Sequence, residues 1–164
     1  MPGRQPPVRY IDRTREQYSS LGYGEYAWVH ETETPPFVPL RKPIAQSRLG
    51  VVASGGIYAA GQTAFTFKDD TPYRAIARDV DSTSLRATHF AYDLTDARRD
   101  INCVFPIDTL RALEADGTVG ELAPELFTCM GGIYSTRRVR EELAPAIVDR
   151  CVADGVEVLL LVPV

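Results

Sequence analysis

The chain has 164 residues, 45% of them hydrophobic, which is enough for one domain with a true core and excludes a disordered tail or a disulfide-stapled miniprotein. The 18 Lys and Arg against 22 Asp and Glu leave a net charge of −4, so no general basic field exists to hold nucleic acid or anionic lipid. Cys103, Cys129 and Cys151 are odd in number and far apart, without the close pairing of a disulfide framework, a zinc site or a dithiol motif. Together with a polar start that lacks a signal-peptide core, and a longest apolar run (Val158–Val164) too short for a bilayer, they predict a soluble cytoplasmic protein with no membrane partner.

Residues 1–47 read as a proline- and aromatic-rich arm. Pro2, Pro6, Pro7, Pro35, Pro36, Pro39 and Pro43 keep it extended, and one short helix is predicted over Ile11–Leu21, stopped by Gly22. Tyr23, Tyr26, Trp28 and Phe37 are large amphipathic rings that anchor such a segment onto a neighbouring face, most simply its own domain.

Residues 48–164 read as an α/β domain, Rossmann-like, with a largely parallel sheet and flanking helices. Strands are predicted at Leu49–Ser54, Leu85–Phe90, Leu126–Met130 and Val156–Val162, the last apolar without alternation and so expected to be covered on both faces. Helices are predicted at Asp108–Asp116, with Asp108 as N-cap and Gly117 as stop, and at Thr136–Asp154, where Val139, Leu143, Ile147 and Cys151 form a stripe and Pro145 imposes a kink or a restart.

Ser54-Gly55-Gly56-Ile57-Tyr58 and Met130-Gly131-Gly132-Ile133-Tyr134 each follow a predicted strand. Both would lie at strand C-terminal ends, the edge where open α/β sheets bind ligands, and paired glycines let the main chain approach closely. Gly55, Gly56, Tyr58, Gly131, Gly132 and Tyr134 are therefore the candidate substrate-binding residues, against the plainer reading of two turns that each needed flexible residues. His89 with Asp93 four residues on suits an acid or base oriented by a carboxylate, though an isolated histidine is more often structural. Cys129 precedes the second glycine pair and is a candidate thiol, whereas Cys151 reads as a buried hydrophobe. No metal site, nucleotide loop or G-x-S-x-G elbow is present. Arg137-Arg138-Val139-Arg140 opens a helix at the wrong end for the dipole, and either meets an anion or acidic partner or forms a solvated face with Glu141 and Glu142.

The ordered blocks Pro35–Leu40, Ser54–Tyr58, Asp79–Asp81, Leu85–Phe90, Val104–Asp108, Asp154–Val156 and Leu159–Val164 together resemble the selenoprotein B subunit of the glycine/betaine/sarcosine/D-proline reductases. Tyr92–Arg98 looks most like the D-proline branch. The resemblance implies reductive cleavage of a C–N bond in a small amino acid or amine, with a selenocysteine or cysteine nucleophile. It implies no cofactor in this chain, a pyruvoyl group in a partner subunit, and a homo- or hetero-oligomer. It places the reactive residue after the strand matching Val156–Pro163, so the nucleophile is expected beyond Val164, with an in-frame UGA codon read as a stop as the expected reason. The alternatives are a noncatalytic binding or scaffold domain and a self-sufficient thiol enzyme built on Cys129.

Overall fold

The computed structural model describes residues 8–26, 28–36, 38–67 and 69–164. The expectations placed on Pro2, Pro6, Pro7 and Phe37 lie outside the described residues. The chain divides into two compact units, one ending at Val38 and the other running from Pro39 to Val164.

In the first unit α1 spans Tyr10–Ser20. Asp12 in its first turn faces the positive helix end and pairs with Arg9 at 3.1 Å, and Gly22, at φ +76°, ends it in the left-handed conformation. No residue of α1 is buried; what gathers the unit is ring contact. Tyr18 meets Tyr26 at 5.6 Å, Tyr26 meets Trp28 at 4.6 Å, and Trp28 reaches back to Tyr10 at 5.9 Å.

The second unit is organised by β1 (Arg48–Ala53), in which Leu49, Val51 and Ala53 are buried. Along one edge it pairs parallel with β5 (Glu121–Leu122) and β6 (Glu125–Thr128), effectively one strand interrupted at Ala123-Pro124, where proline has no N–H to donate. Along its other edge it pairs parallel with β7 (Val158–Val162), from Leu49↔Val158 to Ala53↔Val162. β3 (Arg74–Ala77) closes the outer side of β6 antiparallel, so the sheet is mixed and only its centre is parallel. β2 (Ile57–Ala59) and β4 (Leu85–Ala87) form a separate antiparallel pair. The strand predicted over Leu85–Phe90 therefore ends at Ala87, and it belongs to this ribbon rather than to the main sheet.

The helices are α2 (Thr95–Arg99), α3 (Ile107–Ala115), α4 (Thr136–Arg138) and α5 (Ala144–Ala153). Pro106, not Asp108, precedes α3; Asp108 sits within its first turn, and Asn102 donates to its carboxylate at 2.9 Å. Ile107 and Leu110 face the core. Between α4 and α5 the chain makes a π-helical turn over Val139–Leu143, which relieves the clash and the missing donor of Pro145 in the first turn of α5. The expected stripe is seated from Leu143 onward: Leu143, Ile147 and Cys151 are buried together with Phe127 and Cys129, whereas Val139, in the π-helical turn, is only half-buried.

β7 departs from expectation. Leu159, Leu160 and Leu161 are 39%, 36% and 65% exposed, and among the described residues this strand pairs with β1 alone; only Val158 and Val162 pack on the main core. Among the described residues no helix is long and apolar enough to cross a membrane.

The two β layers are joined by the fully buried Thr128, whose hydroxyl donates to the carbonyl of Ile57. Thr128→Val keeps the shape and removes that bond, and it is expected to lower stability by about 1–2 kcal/mol in urea unfolding.

Candidate functional site

The two glycine loops converge. Ser54-Gly55-Gly56 follows β1 and Met130-Gly131-Gly132 follows β6, both at the C-terminal ends of adjacent parallel strands. An antiparallel bridge joins Gly55 to Met130, and the Gly56 N–H donates to the Cys129 carbonyl at 3.0 Å. The end of β7 closes the same edge: Ser54 N–H donates to Val162 O at 3.0 Å, and Val164 N–H donates to the Ser54 hydroxyl at 3.0 Å. Three of these glycines are required by contact, Gly131 because a Cβ there would lie 2.9 Å from Ser54 O. Gly56 has φ +67°, and a Cβ there would lie 2.1 Å from Thr88 O; a Cβ on Gly132 would lie 2.2 Å from the Phe90 ring.

The tyrosines of the two echoes part company. Tyr134 stays at this edge, its ring facing Phe90 at 6.3 Å. Tyr58 is carried away on β2, where its hydroxyl accepts from Thr88 at 3.2 Å and its side chain lines a cavity of about 490 Å³ with Arg86 and Arg98. Tyr92, which sequence reasoning did not single out, takes a place at the edge by donating to Gly55 O at 2.8 Å. The run His89-Phe90-Ala91-Tyr92, three rings in four residues beyond a strand, was the available signal.

His89 lies just beyond β4 and is 4% exposed. Phe90 stacks on its ring at 5.6 Å and Tyr92 contacts it at 4.8 Å. Its Nδ1 accepts the Ala91 N–H at 3.0 Å, which in the neutral ring places the proton on Nε2. Burial pushes its pKa below the usual histidine value, favouring that neutral form. Asp93 is engaged elsewhere: its carboxylate accepts from the Thr95 amide at 2.9 Å, and hydrogen bonds from the Thr95 hydroxyl and amide hold its pKa below the ordinary carboxylate range. Asp93 therefore orients the start of α2.

Burial pushes the Cys129 thiol up to about 11, the opposite of activation, and raises Cys151 as well. Cys103 is exposed. The basic run at α4 is paired within the chain. Arg137 meets Glu141 at 2.8 Å, and Arg138 meets Glu142 at 3.2 Å while donating to Asp69 O at 2.8 Å and the Thr71 hydroxyl at 2.6 Å. Asp69 in turn accepts the Tyr134 and Ser135 amides at 2.7 and 3.3 Å. Among the described residues, no group of three or more His, Cys, Asp or Glu side chains is placed to hold a metal ion.

The glycine/sarcosine/betaine reductase selenoprotein B family model matches residues 23–163, and the chain belongs to that family. It is 31% identical over 134 residues to the D-proline reductase subunit gamma of Acetoanaerobium sticklandii, covering 82% of this chain and 55% of that one. It is 28% identical over 147 residues to the sarcosine reductase complex component B subunit beta of Peptoclostridium acidaminophilum (80% and 33%). Over 128 residues it is 27% identical to the glycine reductase complex component B subunit gamma of Carboxydothermus hydrogenoformans (75% and 29%). The chain thus spans about half the length of the first of these relatives and about a third of the others. No solved structure matches it.

Two outcomes follow from the thiols and the imidazole. Native iodoacetamide treatment should modify Cys103 and spare Cys129 and Cys151 until the chain is unfolded, as read by peptide mass spectrometry. Because the folded-state pKa of His89 is below its unfolded value of 6.5, the unfolded chain binds the extra proton first. The contribution of His89 should be constant above about pH 7 and fall as pH drops below 6.5 towards the folded pKa. The stability gap between wild type and His89→Gln, measured in urea, should then narrow.

Proposed function

We propose that this chain is a component of a reductase complex that cleaves a C–N bond of a small amino acid or amine, of the glycine, betaine, sarcosine or D-proline type. The observation that carries the reading is the meeting of the Gly55-Gly56 and Gly131-Gly132 loops at the C-terminal edge of β1 and β6, in a member of the selenoprotein B family. The parallel pairings around β1 are read as the Rossmann-like part of the subunit, working in the reducing cytoplasm. In the reaction two electrons and two protons from a dithiol enter and leave a disulfide behind, the C–N bond opens, and carbon and nitrogen each gain one hydrogen; an amine departs from glycine, sarcosine or betaine, whereas D-proline opens to a chain that keeps its nitrogen as a primary amine. The selenol or thiol that attacks is assigned to a selenocysteine or cysteine outside these 164 residues: Cys129 and Cys151 are buried with raised pKa values, and Cys103, though exposed, sits on the turn Ile101–Cys103 and not in either glycine loop. For substrates of the glycine and D-proline type, activation of the amine is assigned to a pyruvoyl-bearing partner subunit; this chain supplies the edge against which the substrate rests. A second reading, a noncatalytic assembly domain, is favoured by the exposed Leu159, Leu160 and Leu161 of β7.

The test is to co-express the tagged chain with a pyruvoyl-bearing subunit and a selenol- or thiol-bearing subunit of the same family. Dithiol-dependent amine formation from D-proline, glycine, sarcosine and betaine is then measured. The chain alone should be inactive and the assembled complex active on one substrate. Co-assembly without activity on any of the four supports the assembly domain instead, and turnover by the chain alone refutes the external nucleophile.

A further inference from the structure

One polar group at this edge is left without a partner. His89 donates nothing: its Nε2 is buried and has no hydrogen-bond acceptor among the described residues, although its Nδ1 is satisfied by the Ala91 amide. Burying a donor without an acceptor is costly, so native structures rarely keep one unless something else completes it. The Nε2–H lies against Gly131, 3.0 Å from where a Cβ would stand, a position that is also 3.3 Å from the Ser54 hydroxyl. Two rings pack on the imidazole: Tyr92 at 4.8 Å, tied to Gly55 O by its hydroxyl, and Phe90. Phe90 stacks on the imidazole with only 10° between planes, rests on Gly132, and is 41% exposed. Beyond it lie two more exposed rings, Tyr134 (62%) at 6.3 Å and Phe67 (61%) at 6.2 Å. The Asp69 carboxylate stands beside them, bonded to the Tyr134 amide. A concealed uncharged N–H donor under exposed aromatic faces with an acid at their margin is complementary to a molecule that carries an anion at one end and a soft cation at the other.

We propose that His89 is a substrate-binding residue whose Nε2–H takes a carboxylate oxygen of a small zwitterion, while the alkylated ammonium group of that zwitterion lies against Phe90 and Tyr134. Entry requires the Phe90 ring to turn off Gly132 and uncover the imidazole edge. His89 then acts as a fixed donor, and the aromatic faces set a preference for N-alkylated ammonium over primary ammonium, because alkyl groups spread the charge and shed water more easily. The assignment rests on the reductase reading for the kind of zwitterion, and on the orphaned N–H for the site.

The experiment uses the 164-residue chain labelled with ¹⁵N-histidine, with long-range ¹H–¹⁵N spectra that separate Nδ1 from Nε2. Three probes are titrated: glycine betaine, 3,3-dimethylbutanoate (the same shape and carboxylate without the positive charge) and choline (the cation without the carboxylate). Betaine should shift the His89 Nε2 signal and bind about two- to five-fold more tightly than 3,3-dimethylbutanoate, the range of a modest cation–π contribution. Choline should leave Nε2 unmoved. Phe90→Leu should abolish the preference for betaine while retaining carboxylate binding. His89→Met should lose binding and His89→Gln, which keeps an N–H near the Nε2 position, should recover part of it. An Nε2 signal that is silent to betaine at large excess, or that moves equally with all three probes, overturns the proposal. A protein-docking role for the aromatic patch predicts the silent result. The wild-type spectrum decides even if His89→Met fails to fold. A silent Nε2 in a chain that still assembles into an active reductase defeats only this assignment, whereas a responsive Nε2 in a chain that never assembles defeats the reductase reading.

Discussion

Two stretches of main chain cross at the C-terminal edge of β1 and β6 at a distance that leaves no room for side chains. A Cβ on Gly56 would strike the Thr88 carbonyl, one on Gly131 would stand 2.9 Å from the Ser54 carbonyl, and one on Gly132 would enter the Phe90 ring. Everything at the candidate site is positioned by this crossing. It brings the loop after β4 under the loop after β1, presses His89 against Gly131, and leaves the Phe90 ring as the cover of both. The strand order supports it, because β1 and β6 are hydrogen-bonded neighbours up to Val52↔Phe127 and Ala53↔Thr128, so their continuations leave the sheet side by side.

The opposite end of the sheet is built on charge. Arg48, the first residue of β1, donates to the Glu121 carboxylate at 2.7 and 3.1 Å and to the Asp154 carbonyl at 2.6 Å. Its own amide donates to Glu157, which also meets Lys42 at 2.8 Å. These contacts gather the starts of β1, β5 and β7. They are partly exposed, so each ion pair adds little by itself, and their effect is to hold register more than to supply stability. The sheet therefore has a polar, side-chain-fastened end and a backbone-fastened end. Main chain also packs closely at the polar end, where a Cβ on Gly120 would lie 2.8 Å from the Ser47 backbone, so what sets the C-terminal edge apart is the pair of glycine loops beside the buried His89.

Much of this was legible in the amino-acid sequence, and what was not has a physical reason. β1, β6, α3 and the stripe on α5 carry runs of apolar residues long enough to show a period. β3 carries one large fully buried residue, Ile76, within Arg74-Ala75-Ile76-Ala77, and four residues with one anchor have no detectable alternation. β2 was hidden because Ile57-Tyr58-Ala59 reads as the tail of a glycine loop. The mixed character of the main sheet comes from β3, and the separate antiparallel ribbon from β2 on β4. At the site, the repeated Gly-Gly-Ile-Tyr pointed to the convergence, since both copies follow strands. It also suggested that the tyrosines would behave alike, and they do not, because a strand follows Gly56 while a turn and helix follow Gly132. His89 was visible as a residue but its partner was not: spacing suggested Asp93, whereas Thr95 had the nearer claim on that carboxylate and the Ala91 amide took Nδ1.

The widened turn over Val139–Leu143 holds one residue more than a regular helix would use there. Each residue of an α-helix turns the chain by about 100°, so losing a single codon from this stretch would straighten the helix and rotate everything ahead of it by that angle. Leu143, Ile147 and Cys151 would stay in their hydrophobic seat. Arg138 would swing off Thr71 and the Asp69 carbonyl, and Asp69 would release the backbone that carries Tyr134. Helix phase, set by one surplus residue, is thus what couples the interior of the domain to the aromatic margin of its open edge.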